Sequence, residues 1–357
     1  MPADRSDAAL ETLFLPFSEG RLPWPETGGA MFLRARDGWP LRQQPRPGLV
    51  CEQSFKPEAD ALTQAGFAVN VPGAAKTYEL VLILPPRQRD EARALMARAV
   101  AMTKPGGRVV VSQSNDEGAR SGESDLAQLT GEVESMSKNK CRVFWTASLA
   151  RLNVSLLAEW QALDAPRAIA DGRFMSRPGI FAWDRIDVAS ELLAEHLPGT
   201  LSGRAADLGV GFGYLSAELL TRCPKISALD VYEAENRALE LARVNLKDFE
   251  ARTPIDYRWH DVAAGLPDSY DVIVTNPPFH AQRAMDRPDI GKRFIAVAAD
   301  SLNPGGRLWL VANRHLPYEN VLSENFDRVH TVVQRHGYKI IEAVRSKPSR
   351  KSDQGTR

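Results

Sequence analysis

Asn276 and Phe279, held apart by Pro277 and Pro278, are the side chains with the most chemistry to offer. They sit in Asp271-Val-Ile-Val-Thr-Asn276-Pro277-Pro278-Phe279-His280, where an apolar run meets an Asn-Pro-Pro-aromatic turn. Two consecutive prolines lock φ and remove two N–H donors, and the residue before them is pushed to an extended conformation, so a strand must stop there. Left stiffly at its C-terminal end are an amide side chain, carbonyl oxygens with no ladder partner and an aromatic ring. Such a set grips a planar group that carries an N–H donor: Asn276 Oδ1 and the Pro277 carbonyl accept hydrogen bonds while Phe279 offers a stacking face.

Upstream lies Asp207-Leu-Gly209-Val-Gly211-Phe-Gly213, following the short apolar run Ala205 to Leu208 and preceding a helix start at Tyr214. Glycines at such a turn let the backbone approach a ligand, and the helix N-terminus behind it favours an anionic group. The spacing differs from the Gly-x-Gly-x-x-Gly of dinucleotide-binding folds. Downstream residues strengthen it. Ile226-Ser-Ala-Leu229 reads as a second strand ending at Asp230, where a carboxylate would take both ribose hydroxyls of a nucleoside cofactor. Asp261, after the next helix, would bond an adenine amino group; capping its own loop is the alternative.

Strands and helices of an α/β fold must carry these residues. Leu80-Val-Leu-Ile-Leu84 is continuously apolar and ends in Pro85-Pro86, as expected of a strand buried on both faces. Ala92, Leu95, Met96, Ala99 and Val100 mark an amphipathic helix over 90–103, and helix-like spacing also runs from Phe55 to Phe67. Before Leu49 there is little periodicity, and Trp24 and Trp39 are expected to pin that stretch to a core. The second half repeats the order of the first. Tyr78 to Pro86 resembles Tyr270 to Pro278, Lys104-Pro-Gly-Gly-Arg-Val-Val-Val111 resembles Asn303-Pro-Gly-Gly-Arg-Leu-Trp-Leu310, and Lys140 to Phe144 resembles Tyr338 to Ile341. Three correspondences in one order indicate an internal duplication. Leu84 stands where Asn276 stands and Arg87 where Phe279 stands, and the first copy lacks the glycine loop, so it keeps the fold without a cofactor site.

Over about 146–345 the order of glycine loop, acidic strand end and Asn-Pro-Pro-Phe turn resembles the class I methyltransferases that use S-adenosylmethionine. His280, the degenerate first copy and Pro178-Gly179-Ile-Phe181, just before a helix over 185–197, resemble the bacterial ribosomal RNA guanine-N2 methyltransferases, the small-subunit 16S type more than the 23S type. The resemblance implies two tandem Rossmann-like domains: 1–145 degenerate, 146–172 a linker, 173–345 catalytic, and 346–357 a basic, disordered tail. Asp207, Gly209, Gly211, Gly213, Asp230, Asp261 and Asn276 would bind cofactor; Asn276, Pro277, Pro278 and Phe279 would act on the base. His280 and Phe181 are candidate substrate contacts, with packing roles as the alternatives. The partner would be ribosomal RNA or the small subunit, met by a monomer in the cytoplasm with no metal.

Composition sets the outer bounds. The 357 residues are 43% hydrophobic and 25% charged, long enough for two cores. No apolar run of membrane-spanning length and no secretory leader is read, and Cys51, Cys141 and Cys223 lie far apart, which fits a reducing compartment and argues against structural zinc. Net charge is +0 and both halves are balanced, so nucleic-acid binding would rest on a local patch. Adenine N6, a protein glutamine amide, or a non-enzymatic role as a ribosome assembly factor remain alternatives to guanine N2.

Overall fold

The computed structural model describes residues 7–26, 29–70, 76–149, 151–278 and 288–346. The chain divides into two compact units, Met1–Arg167 with Arg177–Gly179, and Ala168–Ser176 with Ile180–Arg357. Each is built on a seven-stranded sheet.

In the first unit the strands are β1 Ala30–Leu33, β2 Leu49–Glu52, β3 Val69–Asn70, β4 Tyr78–Ile83, β5 Thr103–Ser114, β6 Val133–Lys138 and β7 Cys141–Thr146, in the order β3-β2-β1-β4-β5-β7-β6. Successive β4 residues point to opposite faces: Val81 and Ile83 pack with Met96 and Val100 of the helix Arg89–Ala101, while Leu80 and Leu82 pack with Leu10 and Leu13 of the helix Ala8–Leu13. Covering both faces is why the β4 run is apolar throughout.

A short pair, β8 Arg167–Ile169 and β9 Phe174–Ser176, precedes the second sheet. That sheet comprises β10 Ser202–Leu208, β11 Lys225–Glu233, β12 Ile255–Trp259, β13 Tyr270–Thr275, β14 Leu302–Asn313, β15 Arg328–Arg335 and β16 Tyr338–Val344, ordered β12-β11-β10-β13-β14-β16-β15. The order is the same, strand for strand, as in the first unit, with one antiparallel strand (β7 or β16) next to the fifth. Helices Val188–His196, Tyr214–Arg222 and Asn236–Leu246 cover one face and Pro288–Ser301 and Glu319–Asn325 the other.

Both Pro-Gly-Gly stretches lie inside strands rather than before them. The pairing of β4 with β5 jumps from Tyr78↔Thr103 to Leu80↔Arg108, and that of β13 with β14 from Tyr270↔Leu302 to Val272↔Arg307. Each jump absorbs a bulge. A Cβ at Gly107 would stand 2.7 Å from the Glu79 carbonyl oxygen, so only glycine lets the bulge close against its neighbour.

Two expectations need correction. Trp39 is 65% exposed and pins nothing; Leu41, two residues on, is the buried member of that turn. The stretch expected as a linker over 146–172 is not one: the helix Val154–Gln161 buries Trp160 in the first core, and Ala168 onward belongs to the second unit. The Leu-Leu-x-x-Trp spacing of that helix was its unread signal. The basic tail lies outside the described residues, apart from Ser346.

Candidate active site

Parallel pairing brings three strand ends of the second unit into line. Leu208 of β10 lies opposite both Tyr232 of β11 and Thr275 of β13, so the residues that follow, Gly209, Glu233 and Asn276, are neighbours at the C-terminal edge. β10 is where the strand order reverses, the place where open α/β sheets bind ligands. An open cleft of about 460 Å³ is lined there by Phe181, Asp187, Ser190, Gly209, Gly211 and Asn276, among others.

The glycine loop is shaped for a ligand. Gly209, Gly211 and Gly213 all have positive φ, at 80°, 57° and 99°. Nothing lies within 4 Å of where a Cβ at Gly211 would stand, so its backbone faces open space; a Cβ at Gly213 would press at 3.3 Å on Ala242. Gly213 caps the helix Tyr214–Arg222, and Asn245 donates from Nδ2 to the Phe212 carbonyl at 2.7 Å, holding the loop from behind. The N–H groups of Gly209, Val210, Gly211 and Gly213 donate to Tyr232, Val210 and Glu233, so loop and helix start form a cradle that offers open space and the positive end of a helix, which fits an elongated nucleoside cofactor with an anionic end.

Asp207 does not reach the cleft. It is 1% exposed and accepts the Ser216 hydroxyl at 2.6 Å, and burial, opposed by that bond, pushes its pKa up to about 7. It ties the end of β10 to the helix behind the loop.

Asp230 is the principal correction. β11 continues three residues past it to Glu233, and Asp230 lies mid-strand opposite Ala206 and Asp256, 3% exposed. Its Oδ2 accepts from Arg204 Nη2 at 2.6 Å and the Tyr270 hydroxyl at 2.6 Å, with Arg258 Nη2 at 3.1 Å, and burial beside it raises the Tyr270 pKa. A carboxylate so enclosed has no face for a ribose. Glu233 stands at the strand end instead, accepting from Gly211 N–H and Glu235 N–H, each at 2.9 Å; burial raises its pKa against those bonds. Asp230-Val-Tyr-Glu233 alternates as a strand should, and that continuation was the legible signal.

His260 N–H donates to the Glu233 carbonyl at 2.9 Å, which brings Asp261 to the same edge, where its Oδ1 accepts Ala263 N–H at 2.9 Å. Phe181 is 67% exposed at the cleft, so a core role is excluded; Phe174 is 4% exposed and core. Asn276 Nδ2 donates to Asp187 Oδ2 at 2.9 Å and Ser190 Oγ at 2.8 Å, two partners that sequence alone did not indicate. Pro277 is buried and Pro278 exposed. Phe279 and His280 lie outside the described residues. Among the described residues, no group of three or more His, Cys, Asp or Glu could hold a metal ion, and no helix is long and apolar enough to cross a membrane.

The family model of the Methyltransferase small domain matches residues 171–342. A ribosomal RNA small subunit methyltransferase C from Psychromonas ingrahamii is 27% identical over 290 residues, covering 80% of this chain and 81% of that protein. One from Chromohalobacter salexigens is 33% identical over 216 residues, 59% of this chain and 61% of that one. The T. thermophilus 16S rRNA N2 G1207 methyltransferase (RsmC), solved in complex with AdoMet and guanosine, superposes with a TM-score of 0.77 at 25% identity, covering 96% of this chain and 93% of its own. Strand order, cradle and these matches together define an S-adenosylmethionine-dependent class I methyltransferase with two Rossmann-like units. Within that class the chain is similar, over most of its length, to bacterial small subunit ribosomal RNA methyltransferases.

Proposed function

We propose that this enzyme methylates the exocyclic N2 of a specific guanine in 16S rRNA, and that Asn276, Pro277 and Phe279 hold the base while it does so. The observation that carries the reading is the amide of Asn276, fixed beside the glycine cradle with its NH2 group engaged by Asp187 and Ser190, which leaves Oδ1 as the end that can accept. The T. thermophilus relative, solved with AdoMet and guanosine and covering nearly the whole chain, supports the same substrate. A ribosomal substrate goes with a cytoplasmic enzyme.

S-Adenosylmethionine, when bound, supplies a methyl group already activated on a sulfonium. The glycine loop would hold it, with Glu233, in place of Asp230, at the ribose hydroxyls and Asp261 at the adenine amine. What remains for the protein is alignment and exclusion of water. Guanine N2 is a poor nucleophile because its lone pair is delocalised into the ring. Accepting its two N–H groups at Asn276 Oδ1 and the Pro277 carbonyl favours a more tetrahedral nitrogen with its lone pair free. Phe279 stacks on the base, which must be unpaired or flipped out to arrive. Phe181, exposed at the cleft, offers a further apolar face to the RNA. The nitrogen sheds its surplus proton after transfer, so no strong general base is needed.

The test is incubation with the methyl donor and undermethylated small subunits or naked 16S rRNA, with nucleosides identified by mass spectrometry. N2-Methylguanosine in 16S rRNA is expected; the same product only in 23S rRNA would move the substrate, and N6-methyladenosine would change the acceptor. Asn276→Ala should lower transfer by about 10²- to 10³-fold, in the range of removing one preorganised hydrogen-bonding group, and leave donor binding within about 3-fold.

A further inference from the structure

Asp187 ends the loop that follows Phe181 and caps the helix Val188–His196, its Oδ2 accepting Ser190 N–H at 2.9 Å. A cap needs no more than that, yet the same oxygen also accepts the Ser190 hydroxyl at 3.1 Å and Asn276 Nδ2 at 2.9 Å. We propose that Asp187 is a positioning residue for methyl transfer, selecting the orientation of the Asn276 amide that presents Oδ1 to the acceptor amine. The inference rests on the role given to Asn276 above.

The argument is one of donors and acceptors. An amide side chain has two orientations of nearly equal shape and opposite chemistry, one presenting oxygen and the other NH2. An ionised carboxylate only accepts, so Asp187 admits the NH2 end and repels Oδ1, which at the observed separation would leave two acceptors facing each other. Ser190 alone would not choose, since a hydroxyl either donates or accepts. Asp187 removes that freedom: it takes the single Ser190 proton, leaving Ser190 Oγ as an acceptor, and Asn276 Nδ2 meets it at 2.8 Å. Both amide N–H groups point to the helix Val188–His196, and Oδ1 is directed the other way. A flipped amide would offer a donor to an amine that is itself a donor, and the acceptor would lose its grip.

The test separates orientation from folding by comparing Asp187→Asn and Asp187→Ser in the full-length protein. Both replacement residues cap helices well. An asparagine there can offer its own NH2 to Asn276 Oδ1 and so permits the inverted amide, while a serine lets the hydroxyl network run either way. At saturating donor and RNA, kcat should fall about 10- to 100-fold in each, with melting temperature near wild type and donor Kd within about 2-fold, a loss confined to the chemical step. Wild-type kcat in both variants would overturn the proposal and leave Asp187 a helix cap. A rise in donor Kd matching the loss of rate would also overturn it, making Asp187 a direct cofactor ligand. Asn276→Ala run alongside distinguishes the two readings: if it is active, the role of Asn276 fails; if it is inactive while the Asp187 variants are normal, only this inference fails.

Discussion

The two sheets share a strand order and a bulge, and differ at the residues that follow the strand ends. Pairing sets the equivalences: Leu33 of β1 lies opposite Glu52 and Ile83 as Leu208 of β10 lies opposite Tyr232 and Thr275. Arg34 is therefore the counterpart of Gly209, Arg36 of Gly211, Gln53 of Glu233 and Leu84 of Asn276. Backbone shape is kept, since Arg34 and Gly209 both have positive φ, at 53° and 80°. Side chains are not: Arg34 pairs with Glu91 at 3.2 Å, and Leu84 is 4% exposed in the apolar core. A fold survives when its faces stay apolar; a binding edge survives only if the few residues beyond the strands stay small or polar. Identical order and a bulge at the same step support descent of both units from one duplicated domain.

The comparison predicts that the first unit's loop residue would disable the second. Gly211→Arg installs the counterpart of Arg36 where a side chain would enter the open cleft. Donor binding should weaken more than about 100-fold by calorimetry, because the occupied cradle excludes the ligand, whereas the left-handed backbone itself costs only about 1–2 kcal/mol. Retained binding would show that the cradle is not where the cofactor sits.

Asp207 offers a second contrast, since its counterpart in the first unit by the same register is the buried, apolar Phe32. With a folded pKa of about 7 against an ordinary 3.8, the native state holds a proton that the unfolded state releases. Folded pKa above unfolded pKa means that stability is full below about pH 4 and is lost as pH rises toward 7, by on the order of 4 kcal/mol from this group alone. Asp207→Asn should flatten that part of the stability curve in urea titrations at pH 5 and pH 7.5. An unchanged slope would show that Asp207 is ionised when folded.

Much of this was legible in the sequence, and the failures share a cause. The runs of β4 and β13 and the prolines that end them could be read because burial on both faces and a locked φ act locally. The repeat was visible for the same reason. The partners of Asn276 were not, because Asp187 and Ser190 lie far earlier in the chain and meet it only through packing of a helix on the sheet. Asp230 looks like a strand end because a charge in a strand reads as solvent. In fact Arg204, Arg258 and Tyr270 arrive from three other strands to enclose it.

The closest comparison of all is between Gln53 and Glu233. Both accept an N–H two residues on, from Phe55 and Glu235, each at 2.9 Å, and both also hold their own loop. Gln53 does so by donating to the Ala35 carbonyl at 2.6 Å, Glu233 by accepting Gly211 N–H at 2.9 Å. If holding the loop were all that Glu233 did, glutamine would serve, as it does in the first unit. A carboxylate that also takes ribose hydroxyls gives charge-assisted bonds worth roughly 1.5–3 kcal/mol that an amide does not replace. Glu233→Gln should therefore raise the donor Kd about 10- to 150-fold with little change in melting temperature. Asp230→Asn should do the reverse, lowering the melting temperature by removing the buried charge that Arg204, Arg258 and Tyr270 share while donor affinity stays near wild type. An exchange of those two outcomes would return the ribose to Asp230 and make Glu233 a loop residue, the second unit's equivalent of Gln53.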